Sequence, residues 1–440
     1  MRVIVLGAGV VGTTAAWYLA RAGHVVTVVE RREDAALETS FANGGQISVS
    51  HAEPWANPAA PAAILRWLGR EDAPLLFRLR ADARQWAWGL RFLLECLPAR
   101  TLANTRAILS LGLYSRAELQ RLRAEARIDY DQQTRGILHL FTEAAALEHA
   151  ARVGERMRAL GMERVLKTAA ECVAIEPALA ESTVTIAGGE YSAADESGDA
   201  HKFTQALARR ALAFGVTFLY GRTAARIERG GDRVSGVVLA GTDGGETRLS
   251  ADAYVLALGS HSPLLAGAAG VRLSVYPVKG YSLTLPLRPG DVAPVTSLTD
   301  EAHKLVFSRL GERLRVAGTA ELNGYDTALN DVRCEALARR AAALFPRAGD
   351  RAQAQFWTGL RPATPSNVPI IGRSRLRNLY LDTGHGTLGW TLACGSGRAI
   401  ADIVSGVAPE VDFPFVGLPE NLRPRQRSRE APARETQPAE

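Results

Sequence analysis

The chain has 440 residues, 47% of them hydrophobic and 22% charged, so it is long enough for two or more domains with a substantial core. Its 52 basic and 46 acidic residues are interspersed and leave a formal net charge of +6. Because a nucleic-acid-binding protein concentrates its cations on one face, we expect no nucleic-acid partner. No apolar run reaches the roughly eighteen residues that span a bilayer.

The four cysteines lie far apart and include no C-x-x-C pair. This spacing predicts free thiols in a reducing compartment rather than disulfides or a cysteine-based metal centre. The sequence gives no other ligand pattern, so no metal ion is expected.

The N-terminus has the pattern of a strand, a turn, a helix and a second strand. An apolar run over residues 3–6 predicts a parallel strand buried on both faces. A helical pattern over residues 13–22 stops at Gly23, and a second apolar run follows over residues 25–29. Together they predict a β-α-β unit.

Three glycines in the first turn have the G-x-G-x-x-G spacing of dinucleotide-binding proteins. Gly7 permits the tight turn, Gly9 lets a pyrophosphate approach the backbone, and Gly12 lets helix and strand pack closely. Glu30 ends the second strand, where an acid can bind the ribose hydroxyls of an adenosine. We therefore expect a dinucleotide with its phosphates at the helix N-terminus. NAD(P) and FAD both satisfy this unit.

Three later segments are predicted to join this unit. Residues 39–48, TSFANGGQIS, combine two glycines with short polar side chains that suit the pyrophosphate and ribityl chain. A helix starting near Asp199 leads to a strand over residues 216–220, and a hairpin precedes a buried strand within residues 252–260. These elements are expected to return to the first sheet.

The segment TGHGTLGWTLACGSG, residues 383–397, is the densest in glycine. It follows a predicted strand over residues 379–382 and enters a helix over residues 388–404. A flat ring needs backbone against it without intervening Cβ atoms, which the glycines of this segment provide. A helix N-terminus aimed at that ring stabilises negative charge on it. The segment is therefore predicted to form a flavin cradle.

The sequence resembles bacterial D-amino acid dehydrogenases of the small-subunit type, within the D-amino-acid-oxidase superfamily of FAD proteins. The resemblance extends over residues 1–418, and Ala200 replaces a cysteine that is frequent in relatives. The motifs that carry it are GAGVVG (7–12) with Glu30, SFANGGQ (40–46), ESGDAHKF (196–203), YPVKGYS (276–282), GLRPATPSNVPIIG (359–372) and TGHGTLGWTLACGSG (383–397).

The predicted fold class is α/β, with a discontinuous Rossmann-like FAD-binding domain and an inserted α+β substrate-binding domain that contains an antiparallel sheet. The first insertion is predicted to be mostly helical, and a hairpin over residues 304–318 is predicted to form part of a substrate roof. The predicted boundaries are residues 1–46, 190–270 and 357–420 for the FAD domain, 47–189 and 271–356 for the substrate domain, and 421–440 for a disordered tail.

The resemblance implies oxidation of a D-α-amino acid such as D-alanine by non-covalently bound FAD. Hydride passes from Cα to flavin N5, the imine is hydrolysed to a 2-oxo acid and ammonium, and electrons pass to a quinone or another acceptor. The implied location is cytoplasmic. Residues 55–97 combine tryptophans, leucines and arginines, so peripheral contact with the inner face of the plasma membrane is an open alternative. The preferred substrate, the acceptor and the oligomeric state stay open.

Four residues in the matching motifs are the candidates for catalysis. Arg361, in a loop stiffened by prolines, is the candidate anchor for the substrate carboxylate. Tyr276 and Tyr281 fall on opposite faces of a strand, so one of them is expected to face the substrate. Lys279 is assigned either to the flavin edge or a water, or to a surface ion pair.

Cys394 lies in the last motif, but we expect no bond to the flavin. The residues expected to contact the cofactor are Val3, Ile4, Val5, Leu6, Gly7, Ala8, Gly9, Val10, Val11, Gly12, Glu30, Arg31, Ser40, Asn43, Gly44, Gln46, Ala225, Leu258, Gly259, Gly384, His385, Gly386, Thr387, Leu388 and Gly389.

Three alternative functions are compatible with parts of the pattern. A flavin enzyme of the same superfamily would act on glycine, sarcosine, D-proline or hydroxyproline with the same fold and cofactor. An NAD(P)-dependent dehydrogenase would share the N-terminal unit but would not need the second glycine-rich segment. A nucleic-acid-binding module is suggested only by the pI near 9.3.

Overall fold

The computed structural model describes residues 1–158, 160–162, 164–241 and 244–422. Within these ranges the helices are α1 (Val10–Arg21), α2 (Ala60–Trp67), α3 (Ala83–Glu95), α4 (Pro98–Ala126), α5 (Ala144–Arg158), α6 (Ala169–Ile175), α7 (Ala200–Ala213), α8 (Ser262–Ala268), α9 (Asp331–Leu344) and α10 (Gly389–Val404). The strands are β1 (Arg2–Leu6), β2 (Val25–Val29), β3 (Gln46–Ile47), β4 (Leu75–Phe77), β5 (Ile137–Phe141), β6 (Val165–Thr168), β7 (Gly188–Ser192), β8 (Glu196–Ser197), β9 (Thr217–Leu219), β10 (Arg222–Gly230), β11 (Arg233–Gly241), β12 (Glu246–Leu249), β13 (Ala253–Leu256), β14 (Tyr276–Pro286), β15 (Ser297–Asp300), β16 (Leu305–Arg309), β17 (Arg313–Leu322), β18 (Gln355–Ala363), β19 (Ile370–Arg373) and β20 (Leu379–Thr383).

The first large sheet has six strands in the order β19-β20-β13-β1-β2-β9. Strand β1 pairs in parallel with β2 and β13, and β20 and β9 extend the sheet in parallel on either side. This arrangement confirms the predicted β-α-β unit and the return of the later strands. The central strands are apolar at nearly every position because both faces of the sheet are covered.

Helices α1 and α10 pack against each other beside this sheet. A Cβ at Gly397 would lie 2.8 Å from the Thr14 hydroxyl oxygen and from the Ala15 nitrogen, so the glycine allows the close approach. The Thr14 hydroxyl donates to the Ala393 carbonyl at 2.9 Å. The N-terminal and C-terminal segments therefore share one core, and both helices start at the same edge of the sheet.

The second large sheet has nine strands, in the order β18-β14-β17-β16-β15-β5-β7-β6 with β4 alongside β17. The predicted hairpin of β16 and β17 is present, with the turn between Arg309 and Arg313. The first insertion, residues 47–189, is mostly helical as predicted, because α2 to α6 supply most of its regular structure, and it also contributes β4, β5, β6 and the first residues of β7. These strands are only three to five residues long, and the buried run ILHLF of β5 lacks the alternation that marks a half-exposed strand.

Strand β18 contains Arg361, which the sequence placed in a proline-stiffened loop. The strand pairs with β14 through Val278 opposite Arg361 and Pro277 opposite Pro362. Arg361 therefore belongs to the nine-stranded sheet, although the predicted boundary assigned residues from 357 onward to the FAD domain. Residues 190–192 of β7 likewise belong to this sheet although they were assigned to the FAD domain, and the rest of the predicted domain division stays a prediction.

Three further sequence predictions concern a hairpin, the start of a helix and the C-terminal tail. The hairpin of β11 and β12 is present, and Asp199 caps α7 by accepting from the His201 and Lys202 amides. Leu422, assigned to the tail, is instead buried in a short 3-10 helix, Glu420–Leu422. Residues 423–440 lie outside the described residues.

All four cysteines are free, as predicted, and all four are buried. In the part of the chain that the structure describes, no helix is both long and apolar enough for a bilayer crossing.

Candidate active site

A cavity of about 1640 Å³ is lined by the carboxyl ends of strands in the six-stranded sheet and by residues of the nine-stranded sheet. Pockets for ordinary small ligands have volumes of roughly 300–1,000 Å³. The cavity therefore has room for a dinucleotide together with a small substrate. Its position at the carboxyl edge of a parallel sheet is the usual ligand site of such folds.

The first glycine turn lies at one end of this cavity. Gly7 has a φ of +106°, and a Cβ at Gly12 would overlap the Gly7 carbonyl oxygen. A Cβ at Gly9 would meet the Ser40 hydroxyl oxygen at 3.6 Å and nothing closer. Gly7 and Gly12 thus serve the turn and the packing, whereas Gly9 leaves a free approach to the start of α1. The Val10 amide, in that first turn, donates to the Ser40 hydroxyl at 3.1 Å.

Glu30 lies at the end of β2 and lines the cavity. Its two carboxylate oxygens accept from the Ala8 amide at 2.8 Å and from the Arg32 amide at 3.0 Å. These bonds fix the carboxylate beside the glycine turn, where it retains lone pairs for ribose hydroxyls. The neighbouring Arg31 pairs with Glu38 at 2.7 Å.

The segment after β2 connects the two sheets. The Gln46 side-chain amide donates to the hydroxyls of Ser297 and Thr299, both on β15. The Asn43 side-chain oxygen accepts from the Gly45 amide at 3.0 Å, which holds the glycine pair in a tight turn. This segment is therefore held by hydrogen bonds along the cavity wall.

The glycines that follow β20 serve two different structural roles. Gly384 has a φ of +83°, and a Cβ there would lie 2.7 Å from the Thr364 methyl, so this glycine serves packing. Gly386 and Gly389 line the cavity and would place a Cβ no closer than 3.6 Å to a neighbour. Helix α10 starts at Gly389, and its free amides therefore lie at the cavity wall.

His385 lines the same wall but is held by protein groups. Its Nε2 lies 3.1 Å from the Ser396 hydroxyl and 3.4 Å from an Asp382 carboxylate oxygen. Asp382 is buried, and burial raises the pKa of its carboxyl group. Cys394 lies in the core of α10 outside the cavity lining that the described residues form, and burial raises the pKa of its thiol.

Arg361 reaches the cavity from β18. Its guanidinium donates to the carbonyls of Thr319 at 2.6 Å and Gly318 at 3.2 Å. Burial, with a smaller contribution from the Arg333 charge, lowers the pKa of Arg361 to about 10, so it is charged at neutral pH. Among the described residues it has no carboxylate partner. A Cβ at Gly280 would overlap the guanidinium carbon, so this glycine makes the room for Arg361.

The two tyrosines of β14 lie on opposite faces, as the spacing predicts, and both are bound to acids. The Tyr276 hydroxyl donates to Asp82 at 3.3 Å, and burial raises its pKa to about 12. The Tyr281 hydroxyl donates to Glu321 at 2.5 Å, and burial and this bond raise its pKa. Tyr281 lines the cavity, whereas Tyr276 lies outside the lining that the described residues form.

Lys279 is neither at the surface nor on the described cavity wall. Its ammonium is buried with Glu321 at 3.2 Å and Asp326 at 3.3 Å, and it donates to the Ala328 carbonyl. The alternation of β14 turns it away from Arg361, so the structure places Lys279 in a buried ion pair.

Most of the predicted cofactor residues line the cavity. Those that do are Gly7, Gly9, Val10, Val11, Glu30, Arg31, Ser40, Asn43, Gly44, Gln46, Ala225, Leu258, Gly259, His385, Gly386, Thr387, Leu388 and Gly389. Those outside the described lining are Val3, Ile4, Val5, Leu6, Ala8, Gly12 and Gly384, which form the strand and turns behind it.

Several lining residues were missed from the sequence. Thr319 has a φ of +49°, rare for a residue with a branched Cβ, and its carbonyl holds Arg361. His51 and Glu301 also line the cavity. No local sequence pattern marks Thr319, His51 or Glu301. The one available signal was Gly280, within the matching motif YPVKGYS, because a glycine there indicates that another group approaches the strand closely.

The chain is similar to known flavoproteins over nearly its whole length. Residues 2–403 match the family described as FAD dependent oxidoreductase. A D-amino acid dehydrogenase of Dechloromonas aromatica (strain RCB) is 58% identical over 94% of this chain and 100% of that protein. One of Paramagnetospirillum magneticum (strain ATCC 700264 / AMB-1) is 55% identical over 95% of this chain and 98% of that protein. A glycine oxidase structure from Geobacillus kaustophilus has a TM-score of 0.71 at 25% identity, covering 93% of this chain and 96% of that one.

Proposed function

The chain belongs to the family of FAD dependent oxidoreductases, and from that premise we propose that it deaminates D-amino acids, such as D-alanine, to 2-oxo acids and ammonium. Two D-amino acid dehydrogenases more than half identical to this chain support the substrate class. The observation that carries the proposal is a half-buried, charged arginine without a carboxylate partner in the described residues, at the wall of a cavity sized for FAD and substrate.

The residues at the cavity wall fit FAD. Gly9 leaves the start of α1 open to a pyrophosphate, and Glu30 faces the cavity beside it as a ribose acceptor. Gly386 and Gly389 present backbone to the cavity at the start of α10, as a flat ring system requires. Bound FAD supplies the two-electron oxidation of the substrate's carbon–nitrogen bond. Because Cys394 lies in the core of α10, we expect FAD to be held without a covalent bond.

Arg361 is the proposed anchor of the substrate carboxylate. A planar guanidinium binds a carboxylate through two parallel hydrogen bonds, which fixes orientation as well as position. The carbonyls of Gly318 and Thr319 already hold the guanidinium, so little rotamer freedom is lost when a substrate binds. Orientation matters because a displacement of about 1 Å can cost about a hundredfold in rate. Hydrolysis of the product imine by water then releases ammonium and the 2-oxo acid.

The structural similarity to a glycine oxidase favours one second candidate, oxidation of glycine or a secondary amino acid. The purified protein should therefore be tested with D-alanine, L-alanine, glycine, sarcosine, D-proline and hydroxyproline. We expect D-alanine to yield equal amounts of 2-oxo acid and ammonium with reduction of an added dye. Turnover of glycine or sarcosine with release of hydrogen peroxide, and none of D-alanine, would contradict the proposal.

We further propose that the acceptor is a quinone and that the enzyme contacts the membrane peripherally at the cavity mouth. The support is an apolar rim, defined as Leu68, Leu79, Trp86, Leu90 and Leu93, whose members are all exposed and also line the cavity. Exposed leucines beside arginines are typical of interfacial segments.

The test of this second proposal is cosedimentation with anionic lipid vesicles. Leu90→Glu should weaken vesicle binding and quinone reduction while dye reduction is unchanged. Leu212→Glu, at an exposed leucine of α7, is the matched control. Equal vesicle binding by wild type and Leu90→Glu would contradict the role of the rim.

A further inference from the structure

Two histidines and a glutamate, none of them assigned to FAD or substrate, converge at the cavity wall. His51 ends the 3-10 helix Val49–His51, His139 is on β5, and Glu301 follows β15, which pairs with β5. One side-chain ligand atom from each residue lies within 4.8 Å of the other two. The His51 and His139 rings are parallel, with centroids 5.9 Å apart.

The histidines offer the lone pairs that a metal ion needs. His139 Nδ1 lies 2.8 Å from a Glu301 oxygen, and its Nε2 lies 3.2 Å from the Ser50 hydroxyl, which fixes the ring from the far side. The His51 ring makes no hydrogen bond within the described ranges. No hydrogen bond within those ranges therefore competes with an ion for the His51 ring nitrogens.

The nearby cations are already paired, which limits their repulsion of an ion. Lys304 lies 2.6 Å from the second Glu301 oxygen, and half of its side chain is exposed, so it can move aside. Arg164 pairs with Glu190 at 2.9 Å and donates to the Ser50 carbonyl. The oxygen of Glu301 that faces His139 is thus the one available to an ion.

Access and ligand chemistry are both suitable for a transition metal. His51 and Glu301 line the cavity, so an ion and its waters can reach them from solvent. Two imidazoles and one carboxylate with an open fourth position form a common protein site for Zn²⁺. Ligand distances of about 2.0–2.2 Å place the ligand atoms about 3.3 Å apart, so His139 and Glu301 would separate slightly from their hydrogen-bonded distance.

We propose that His51, His139 and Glu301 bind one divalent transition-metal ion, and that Zn²⁺ matches the site best. The bound ion replaces the hydrogen bond between His139 and Glu301. Water from the cavity completes the coordination. The site is independent of the proposed substrate, because it uses none of the residues assigned to FAD or to the carboxylate.

The test is a Zn²⁺ titration of the FAD-loaded protein, with the affinity tag removed and the protein stripped with EDTA and desalted. A chromophoric chelator reports free Zn²⁺ by competition. Wild type should bind one high-affinity equivalent, and His51→Gln should weaken that binding by at least about tenfold, the scale of metal-site substitutions. His149→Gln, at another histidine of the cavity wall, should bind like wild type.

Flavin absorption and melting temperature, measured without Zn²⁺, establish that each variant is folded. If His51→Gln does not fold, Glu301→Gln replaces it, with the same loss of Zn²⁺ affinity expected. The absence of a saturable equivalent in wild type, or an unchanged dissociation constant in the folded ligand variant, would overturn the proposal.

Discussion

Arg361→Leu isolates the contribution of the substrate anchor. Hydrogen bonds to charged groups contribute roughly 1.5–3 kcal/mol each, and a bidentate carboxylate contact uses two of them. Allowing for partial replacement by water, we expect a loss of about 2–4 kcal/mol of transition-state stabilisation, or roughly 30- to 900-fold in kcat/KM for D-alanine. FAD should stay bound, because Arg361 contacts the nine-stranded sheet and not the glycine turns.

The same substitution has a separate effect on stability. It leaves the carbonyls of Gly318 and Thr319 without their donor, at a cost of about 1–3 kcal/mol for each carbonyl that water does not reach. Melting temperature measures this loss independently of kinetics. Arg361→Lys retains the charge but only a single donor group, so it should lie between wild type and Arg361→Leu in kcat/KM.

The assay compares D-alanine with D-alaninamide, which lacks the carboxylate charge, in both proteins. Steady-state dye reduction gives kcat/KM for each pair. Wild type should prefer D-alanine strongly, and Arg361→Leu should lose most of that preference. If the variant is fully loaded with FAD and keeps the wild-type ratio, Arg361 does not bind the carboxylate.

Three other substitutions test the geometry around the cavity. Gly280→Ala should displace the guanidinium of Arg361 and raise KM for D-alanine by about tenfold or more while FAD is retained; an unchanged KM in steady-state assays would contradict the close packing. Gly9→Val should abolish FAD retention in a folded protein. Gly12→Ala should instead lower the melting temperature of the apoprotein, because a Cβ at Gly12 overlaps the turn and a Cβ at Gly9 does not. If the two variants behave alike in flavin absorption and in thermal melts, the two glycines do not have separate roles. The pKa of Asp382 is raised in the native state, so the native protein holds a proton that the unfolded chain releases above about pH 4. Stability therefore falls as pH rises from about 4 toward the native pKa. Asp382→Asn should flatten this decline in thermal melts across about pH 4–8, and parallel curves of melting temperature against pH for the two proteins would refute it.

The parts of the site that were predicted correctly depend on short segments. The spacing of Gly7, Gly9 and Gly12 encodes the turn, and Glu30 follows at the end of an apolar run, so both could be located before any tertiary contact was known. The position of α10 after a strand and a glycine turn was likewise local information, and the helix begins within one residue of the predicted start.

The parts that were missed depend on contacts between distant segments. Lys279 has a motif position that suggests chemistry, but Glu321 and Asp326 pair with it inside the protein. Tyr276 is held by Asp82, 194 residues away. Arg361 appeared to lie in a loop because Pro362 and Pro365 follow it, yet it is paired in a strand. A single sequence does not show which residues of distant segments lie opposite each other, so the burial and pairing of these side chains could not be predicted.

The most direct test of the whole account is the visible absorption of the freshly purified protein during anaerobic titration with each alanine enantiomer. We expect a flavin band that D-alanine bleaches and L-alanine leaves unchanged, with one 2-oxo acid formed per flavin reduced. A colourless protein that takes up no added FAD, or a flavin band that responds to L-alanine alone, would contradict it.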